Sequence, residues 1–560
     1  MASSFFRALP LTFSLLSYSL SVLGQNAGSS GSSASASGAK YGSLSSPVDV
    51  GITGRFDDGY TTDIVLGGQN FTVVIDTGST DLWVDARGLE LQLSNNTDIA
   101  INFTYALGGV KGNIAFADLQ IGPYTIPNQA FVNATEVDDF PGGIRGLIGM
   151  AFDNAELFTQ LFEHWGLESA NRLGRAPITN LFAQNPSAPE FFDLELNRED
   201  ISGVERDGHF LFGQHTPEME SALQKAPKIE RVHPLHWTLA MDGMKINGKP
   251  FTAWNKSVIP GLPQGQVAVP LDSGFTYPQI PDAVVNAIYS SIPGAVFYPG
   301  NIPGTDNGAS GTNWVVPCNA SANISFTFGG QDYPVHPRDL LEEYDGVKLD
   351  TLDGVDLVAN GTVCTNRYQS GVGDDTYDMI LGMAFLRNVY ASFNYGNYTP
   401  PGINITGQQP YVQMVSVIDQ EKAWADFKNY TTQKLSTSAP AVDPASFVKL
   451  LNDFSAKAGS GSASSGGADS SNVTAAGDLA VSGAASQSDS DSNKDSNKYA
   501  PLAVGLLGAN VAIGLVILGV TLAICVRGSR GGRESRYKPL RLPKEEAGND
   551  GEHGPLYSDA

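Results

Sequence analysis

Two aspartates constrain this chain more than any other feature, because each follows a short apolar run and precedes a hydroxyl residue and a glycine. Asp76-Thr-Gly-Ser follows residues 71–75, and Asp272-Ser-Gly follows residues 267–271. Runs rich in Val and Ile that end at turn residues predict buried strands, so each carboxylate is expected at the end of a strand. One such string alone is typical of a tight turn. A pair of them is what a carboxylate dyad built from two similar halves requires.

The two ends of the chain differ in composition from its centre. Residues 1–24 carry one early arginine, a short apolar stretch and small residues near its end, which predicts a secretory signal peptide. Residues 25–47 and 455–498 are dominated by Ser, Gly and Ala, so neither segment is expected to fold. The second of these segments is interpreted as a stalk.

A membrane span is predicted after the stalk. Residues 501–526 contain no charged side chain, which favours a transmembrane helix over 500–526. The tail at 527–560 begins with many Arg and Lys residues, so we expect it in the cytoplasm and the large N-terminal part outside, as in a single-pass type I protein. Plasma membrane and endosome or vacuole both remain open.

Sequons and charge agree with a folded part that lies outside. Twelve Asn-x-Ser/Thr sequons precede the span, at Asn70, Asn95, Asn102, Asn133, Asn255, Asn319, Asn323, Asn360, Asn397, Asn404, Asn429 and Asn472. The formal net charge of −24 argues against a nucleic-acid partner and fits work at low pH. The sequence does not indicate an oligomeric state.

The three cysteines divide between the span and the outside part. Cys525 lies at the inner end of the span, where it is either a site of acylation or an ordinary small apolar residue. Cys318 and Cys364 remain together in an oxidising compartment, so a disulfide is expected, with a pair of free buried thiols as the alternative.

The central part reads as mainly β. Short runs rich in β-branched and aromatic residues predict strands at 62–66, 71–75, 99–105, 113–121, 209–212, 244–246, 324–328 and 389–393. Helical periodicity is confined to a few segments, of which 155–165 and 281–292 are the better candidates.

A weak internal duplication divides this β-rich part into two lobes. Each aspartate string is followed later by an apolar-apolar-Gly step, at Leu147-Ile-Gly and at Ile380-Leu-Gly. The lobes are predicted at 48–225 and 226–420, followed by a linker at 421–454. Within this linker, the amphipathic piece 447–454 either docks on the protein as a short helix or begins the stalk.

From about residue 60 to residue 419 the chain resembles the pepsin-like aspartic proteases, and its topology resembles the membrane-anchored members of that family. The resemblance rests on ordered matches: the run 70–84 that contains Asp76-Thr-Gly-Ser and Trp83, a flap-like 104–109, the two apolar-apolar-Gly steps, Trp237 and Asp272-Ser-Gly. It implies a bilobal fold of two similar β-barrel-like lobes with an active-site cleft between them.

The resemblance also implies roles for individual residues. Asp76 and Asp272 would be catalytic, and the residues supporting them would be Thr77, Gly78, Ser79, Ser273 and Gly274. The hydroxyls of Thr77 and Ser273 would bond across to the opposite loop, and Ser79 would donate to the outer oxygen of Asp76. The residues at the flap or the substrate would be Tyr105, Gly108, Trp83 and Thr276.

Such a site hydrolyses protein or peptide substrates without a metal or an organic cofactor. Two adjacent carboxylates share one proton, so one acts as a base toward water while the other acts as an acid toward the peptide carbonyl. Nothing in the sequence indicates a competing chemistry. His233 and His236 are the only close histidine pair and lack a metal-binding motif, so they are interpreted as ordinary surface or core residues.

The main departure from the family pattern is Phe275, at a position where a hydroxyl residue is expected. Without that hydroxyl Asp272 has one donor fewer, which should raise the apparent pKa of the pair. The leading hypothesis is a membrane-anchored aspartic endopeptidase with a shifted pH profile. The alternative is a surface binding or adhesion protein that keeps the protease fold with a weakened site.

Overall fold

A computed structural model describes residues 49–460, apart from gaps at 51, 56–58, 106–107, 139, 141–143, 154, 185–187, 200–207, 303–304, 306–311, 353–354, 359–360, 372–375 and 397–408. The predicted signal peptide at 1–24, the segment 25–47, the transmembrane helix 500–526 with Cys525 and the tail 527–560 lie outside the described residues. So does the predicted stalk beyond residue 460. No helix in the described part is long and apolar enough to cross a bilayer.

The first half is built on one large sheet. Its eight strands are β1 (Thr53–Arg55), β2 (Gly59–Leu66), β3 (Gln69–Asp76), β4 (Leu82–Val84), β5 (Leu93–Thr104), β6 (Gly109–Ile121), β7 (Tyr124–Asp138) and β8 (Gly146–Gly149). They run in the order β1-β2-β3-β8-β4-β7-β6-β5, and a further pairing of β2 with β6 folds the sheet back on itself.

Burial along these strands follows the sequence pattern. In β5 the side chains of Ile99, Ile101 and Phe103 are buried while those between them are exposed, as expected for a sheet with one face in the core. In β3 the last four residues are all buried. β3 therefore runs through the core and places Asp76 at its buried end.

A five-stranded sheet joins the two halves of the chain. It contains β9 (Phe191–Glu195), β10 (His209–Phe212), β11 (Ile229–Glu230), β26 (Val389–Asn394) and β27 (Tyr411–Ser416), in the order β10-β9-β26-β27-β11. β9 and β10 belong to the first predicted lobe, and β26 and β27 belong to the second. The sheet thus spans the predicted boundary near residue 225, and a single buried apolar cluster extends through both halves.

Smaller sheets make up the second half. Their strands are β12 (Thr238–Met241), β13 (Gly243–Ile246), β14 (Lys249–Pro250), β15 (Val267–Pro270), β16 (Gln279–Ile280), β17 (Val296–Tyr298), β18 (Asn313–Val316), β19 (Ile324–Phe328), β20 (Gln331–Pro334), β21 (Leu341–Asp345), β22 (Lys348–Leu352), β23 (Val355–Val358), β24 (Thr362–Asn366) and β25 (Gln369–Ser370). β14-β13-β19-β20 and β17-β18-β24-β21 form four-stranded sheets, and the other strands pair as β12-β15, β16-β25 and β22-β23. The described residues are therefore mainly β, as the sequence predicts.

Helices lie between and after the strands. They are α1 (Glu156–Leu173), α2 (Pro177–Gln184), α3 (Pro217–Leu223), α4 (Asp282–Tyr289), α5 (Met383–Leu386), α6 (Gln420–Thr437) and α7 (Pro444–Ser460), with one 3-10 turn at Pro337–Leu340. The helix predicted at 155–165 is confirmed up to Gly166, whose φ of 79° and ψ of 169° are not helical. Positive φ is easily adopted by glycine, so Gly166 separates this helix from a second helical stretch that continues to Leu173.

The segment after the second lobe is helical and docks on the protein. Phe447, Val448 and Leu451 of α7 are buried in a cluster with residues of β17, β18 and β24. This decides between the two alternatives for 447–454 in favour of docking. The stalk prediction beginning at residue 455 is also wrong at its start, because α7 runs on to Ser460. Ala and Lys are good helix formers and can extend a helix that packing has already nucleated.

A buried ion network stabilises the second half. Asp339 accepts hydrogen bonds from Nε of Arg198 and Nε of Arg387, each at 3.0 Å, and from the side-chain amide of Asn388 at 3.0 Å. Burial alone would raise the pKa of Asp339, but the charges of Arg198 and Arg387 outweigh it and hold the pKa well below its usual range. The network therefore keeps its charges in acid.

Candidate active site

Asp76 ends strand β3 on a rigid backbone. β3 pairs in parallel with β8 so that Asp76 stands opposite Gly149. The N–H of Met150 donates to the Asp76 carbonyl at 2.8 Å. A Cβ atom on Gly149 would overlap the backbone of Thr80, so glycine is what lets β8 cross this close to the loop. Asp76 is only 5% exposed, and β8 supports its loop.

Asp272 occupies the corresponding place after β15. Leu271 makes a parallel bridge with Leu381, and the N–H of Asp272 donates to the Leu381 carbonyl at 3.1 Å. Here too a glycine makes the crossing possible, because a Cβ on Gly382 would overlap the Phe275 carbonyl. The two apolar-apolar-Gly steps therefore do the same structural work in both halves, and each supports one aspartate loop.

The two loops are joined by hydrogen bonds that cross between the halves. The hydroxyl of Thr77 donates to the carbonyl of Leu271 at 2.7 Å, and the hydroxyl of Ser273 donates to the carbonyl of Ile75 at 2.7 Å. The Thr77 hydroxyl also accepts the N–H of Ser273 at 2.8 Å, and the Ser273 hydroxyl accepts the N–H of Thr77 at 3.0 Å. Thr77 and Ser273 are fully buried. The four bonds fix the separation of the loops.

This interlock brings the two carboxyl groups face to face. Oδ1 of Asp76 accepts the N–H of Gly78 at 2.8 Å, and Oδ1 of Asp272 accepts the N–H of Gly274 at 2.8 Å. A Cβ on Gly78 would overlap the Asp272 carboxyl, and a Cβ on Gly274 would overlap that of Asp76. Each glycine thus leaves room for the carboxyl group of the opposite loop, and the two side chains are close enough to share a hydrogen bond.

The two loops differ in their hydroxyl donors. The Ser79 hydroxyl donates to Oδ2 of Asp76, whereas Phe275 stands at the equivalent place beside Asp272. Burial raises the pKa of Asp272 well above its usual range, and the nearby charge of Asp76 adds to the rise; the N–H groups of Gly274 and Gly78 oppose it. These surroundings favour the protonated form of Asp272.

Tyr105 and Gly108 lie at the tip of the β5–β6 hairpin, between Thr104 at the end of β5 and Gly109 at the start of β6. The N–H of Tyr105 donates to the Gly108 carbonyl at 3.1 Å. The ring of Tyr105 contacts Phe140 with a centroid distance of 5.8 Å, and Phe140 in turn contacts the indole of Trp83 at 4.8 Å. Trp83 itself is fully buried in β4. The hairpin tip is thus held by an aromatic cluster.

The electrostatics of Tyr105 connect the hairpin tip to the aspartates. Burial raises the pKa of Tyr105 well above its usual value, and the charges of Asp76 and Asp81 raise it further. The Trp83 indole lies close enough to oppose this rise, although its Nε1 forms no well-aligned hydrogen bond. Tyr105 is therefore a neutral phenol throughout the pH range in which the aspartates titrate.

A cavity of about 330 Å³ opens beside the first aspartate loop. Its lining includes Gly78 and Ser79, which both bond to Asp76, and Tyr105 from the hairpin tip. Among the predicted flap or substrate residues, Trp83 lies behind this cavity in the core. Thr276 is half-buried in the second loop and is not among the residues that line it.

Sequence reasoning missed three titratable residues of this cavity, Asp81, Glu156 and His236. Asp81 comes two residues after Ser79, so its position near the loop was available as a signal. His236 was interpreted as an ordinary surface or core residue. Its Nδ1 instead lies 3.1 Å from the carbonyl of Gly78, across a long stretch of sequence that gives no local sign of the contact.

His233 and His236 are not part of a metal-binding group among the described residues. The rings of His233 and His236 stack with centroids 5.4 Å apart. Within residues 49–460, outside the gaps, no group of three or more His, Cys, Asp or Glu side chains is placed to hold a metal ion.

The expected disulfide is confirmed. Cys318 and Cys364 are bonded, with Sγ atoms 2.01 Å apart. The bridge lies beside the β18–β24 ladder, in which Cys364 pairs with Val316. Free thiols at these two positions are thereby excluded. The bridge is structural and lies in the sheet against which α7 packs.

Comparison with known proteins gives a consistent result. The family model of the eukaryotic aspartyl protease matches residues 59–400. Major aspartyl peptidase 1 of Cryptococcus neoformans var. grubii is 22% identical over 374 residues, covering 62% of this chain and 68% of the relative. The aspartic-type endopeptidase ctsD of Aspergillus fumigatus is 23% identical over 373 residues, covering 61% of this chain and 65% of the relative.

A vertebrate protein is also among the similar proteins. Pepsin A of Bos taurus is 23% identical over 360 residues, covering 60% of this chain and 81% of the relative. The matched region of the family model contains both aspartate loops, the hairpin tip and both apolar-apolar-Gly steps. Because that model covers more than half of the chain, this protein belongs to the eukaryotic aspartyl protease family and is an aspartic-type endopeptidase.

Proposed function

We propose that Asp76 and Asp272 are the two catalytic residues of this endopeptidase. The observation that carries the proposal is the interlock of the two loops, in which each glycine makes room for the opposite carboxyl group. Reacting groups must be held in place before the substrate arrives, and four buried hydrogen bonds between Thr77, Ser273 and the facing backbone do this.

The two carboxyl groups have different surroundings, and we infer from these which one acts first as the acid and which one acts first as the base. Asp272, whose pKa is raised by burial and by the charge of Asp76, holds the shared proton as the acid. Asp76, whose Oδ2 accepts from Ser79, acts as the base in this proposal. This separation of roles by environment is how a pair of like groups performs both acid and base chemistry.

Hydrolysis then proceeds in two proton-balanced steps. In the first, Asp76 takes a proton from a water molecule as its oxygen bonds to the peptide carbonyl carbon, and Asp272 gives its proton to the carbonyl oxygen. In the second, Asp76 gives its new proton to the amide nitrogen and the C–N bond breaks. Asp272 recovers a proton from one hydroxyl of the tetrahedral carbon, which restores the starting state of both residues.

We further propose that the enzyme is anchored to the membrane with its catalytic part outside or in a lumen. This rests on the charge-free run 501–526, the basic residues that follow it and the sequons that precede it. The docked helices α6 and α7 lie between the second lobe and the anchor, so the catalytic part would be joined to the stalk at residue 460.

The catalytic proposal is tested with the purified outer part and a peptide pool from acid to neutral pH. Asp76→Asn and Asp272→Asn should each abolish cleavage, and pepstatin should inhibit the unsubstituted protein. Asp98→Asn, the same change at an exposed site, should cleave normally. Cleavage that persists in both dyad variants would refute the proposal. Absence of cleavage in the unsubstituted protein would favour the surface-binding alternative, which the missing hydroxyl at Phe275 supports.

The anchoring proposal has a separate test. Epitope tags placed after residue 47 and at the C-terminus are probed on sealed, oriented vesicles with and without detergent. The first tag should be accessible only from the outer or lumenal side and the second only from the cytoplasmic side. If both tags are accessible from one side without detergent, the single-span topology is wrong.

A further inference from the structure

The cavity beside Asp76 is lined by residues that also bond to the aspartate loop. Two of its lining residues, Gly78 and Ser79, donate hydrogen bonds to the Asp76 carboxylate. Tyr105 closes it from the hairpin tip and His236, bonded to the Gly78 carbonyl, closes it from the second half. Its volume of about 330 Å³ lies within the range of pockets that bind a small group. A side chain of a peptide held at Asp76 can therefore enter it.

Two carboxylates, Asp81 and Glu156, lie in the lining of this cavity. Asp81 is half-buried within it, and its Oδ2 accepts the N–H of Leu157 at 3.2 Å. Glu156, the first residue of α1, is exposed at the same cavity. No lysine or arginine is among the described residues that line it. Arg231, the nearby cation, contacts the cavity residue Phe152 with its guanidinium 3.7 Å from the ring centroid and donates to the Pro234 carbonyl.

Besides the neutral polar side chains of Thr80, Asn102 and Thr104, the lining contains apolar and aromatic groups. Phe103, Phe152 and Leu235 contribute to the wall, and the Leu235 side chain is 42% exposed. Lysine and arginine side chains combine an apolar stem with a cationic head and pack in this way against mixed surfaces. A wall of apolar groups with two carboxylates is complementary to that combination.

We propose that this cavity binds a lysine or arginine side chain of the substrate, and that Asp81 and Glu156 are residues that determine this specificity. The inference rests on the proposed catalytic role of Asp76 and Asp272. The stem of the side chain packs against Phe152 and Leu235, and the cationic head lies near both carboxylates. Glu156 is exposed, whereas Asp81 is half-buried.

The ionisation of Asp81 makes this preference depend on pH. Burial raises the pKa of Asp81 to about 7, the carboxylates of Glu156 and Asp153 add to the rise, and the N–H of Leu157 opposes it. Glu156, Asp153 and Tyr105 interact electrostatically with Asp81, His236 lines the same cavity, and Arg231 lies against the cavity residue Phe152. A bound cation favours the ionised form, so binding of a basic side chain releases a proton from Asp81. The preference should therefore strengthen as pH rises toward 7.

The test begins with cleavage profiling of a peptide library, which finds the position at which Lys and Arg are enriched. Two peptides that differ only in Lys or norleucine at that position are then compared by kcat/KM. We expect the Lys/norleucine ratio to fall roughly tenfold in Asp81→Asn, the size expected for a lost hydrogen bond to a charged group. Glu156→Gln should lower it less, because Glu156 is exposed.

Controls separate this inference from the proposed function. Glu163→Gln, on the exposed side of α1 and outside the cavity, should keep the unsubstituted ratio. Glu156→Gln keeps the inference testable if Asp81→Asn fails to fold. A ratio near one in the unsubstituted protein, or a ratio unchanged in both cavity variants, would overturn the inference while leaving the endopeptidase intact. Failure to cleave either peptide, or any library peptide, would instead contradict the catalytic proposal.

Discussion

Replacing Phe275 by threonine should move the pH profile of this enzyme in a direction fixed by the structure. The two aspartate loops share the same carboxylate–glycine bond, at 2.8 Å in each. The Ser79 hydroxyl donates to Asp76 from the position that Phe275 occupies in the second loop. A hydroxyl at residue 275 therefore has the geometry to donate to Asp272, and it would stabilise the ionised form of that carboxyl.

The size of the shift follows from the strength of one hydrogen bond. A hydrogen bond to a charged group contributes about 1.5–3 kcal/mol, and one pKa unit corresponds to about 1.36 kcal/mol. Asp272 is half-buried, so solvent screening places the effect at the low end of this range, about one unit. Because Asp272 holds its proton in the proposed mechanism, a lower pKa of Asp272 means that activity is lost at lower pH. The basic limb of kcat/KM should move down by about one pH unit.

The assay is kcat/KM for one peptide across the pH range, compared between Phe275→Thr and Phe275→Val. Valine has nearly the shape of threonine but no hydroxyl, so it reproduces the loss of the phenylalanine ring without adding a donor. The basic limb of Phe275→Val should stay close to that of the unsubstituted protein. If the two variants have the same basic limb, the hydroxyl does not act on Asp272 and the assignment of the proton to Asp272 loses its support.

Three further predictions concern stability and are measured by urea unfolding of the folded part of the chain, residues 49–460. Removing the disulfide by Cys318→Ala with Cys364→Ala should cost about 4 kcal/mol, because the bridge closes a loop with a sequence separation of 46. Leu451→Ala should cost about 2–5 kcal/mol if α7 belongs to the folded unit, whereas Leu450→Ala, at a 36% exposed position, should change stability by less than about 0.5 kcal/mol. Asp339→Asn should cost about 3–5 kcal/mol, because it removes the carboxylate that pairs with the buried Arg387 and the half-buried Arg198. This cost should be the same at about pH 5 as at neutral pH, since the pKa of Asp339 is lowered and its contribution disappears only as pH falls through that folded value.

The strands could be predicted because their information is local. The alternation of Ile99, Ile101 and Phe103 with polar residues appears directly in β5, and the apolar run before Asp76 appears as the buried end of β3. The helices after the second lobe were largely missed. α6 has a mean hydropathy typical of a polar segment, and only Ala423, Phe427 and Thr431 are buried in it. Its stability comes from docking, which the sequence pattern does not display.

The sheet shared by the two halves was beyond the reach of the sequence for a different reason. Strand β26 pairs with β9, so that Phe393 stands opposite Phe192, yet these residues are distant in the chain. Periodicity predicts that each is a strand but not that they are neighbours. The lobe boundary at residue 225 was accordingly placed by composition, and it separates strands that the fold joins.

The same limit applies to the candidate site. Asp76 and Asp272 could be singled out because each sits in a short string whose residues work locally. Asp81 is local too, but its environment is not: the α1 backbone and Glu156 that surround it become its neighbours only through folding. The contact of His236 with the Gly78 carbonyl is equally remote in sequence. Single residues at a site are predictable where a motif marks them, and their surroundings are not.

The two proposals place opposite demands on pH: the proposed mechanism needs a proton on Asp272, and the proposed recognition of a basic side chain needs Asp81 to be ionised. If Asp272 had an ordinary pKa, the enzyme would lose its acid before Asp81 ionised. Burial raises the pKa of both groups, that of Asp81 to about 7 and that of Asp272 well above its usual range. Phe275, by withholding a donor from Asp272, widens the range in which both conditions hold, so Phe275→Thr should also narrow the pH range over which Lys is preferred to norleucine.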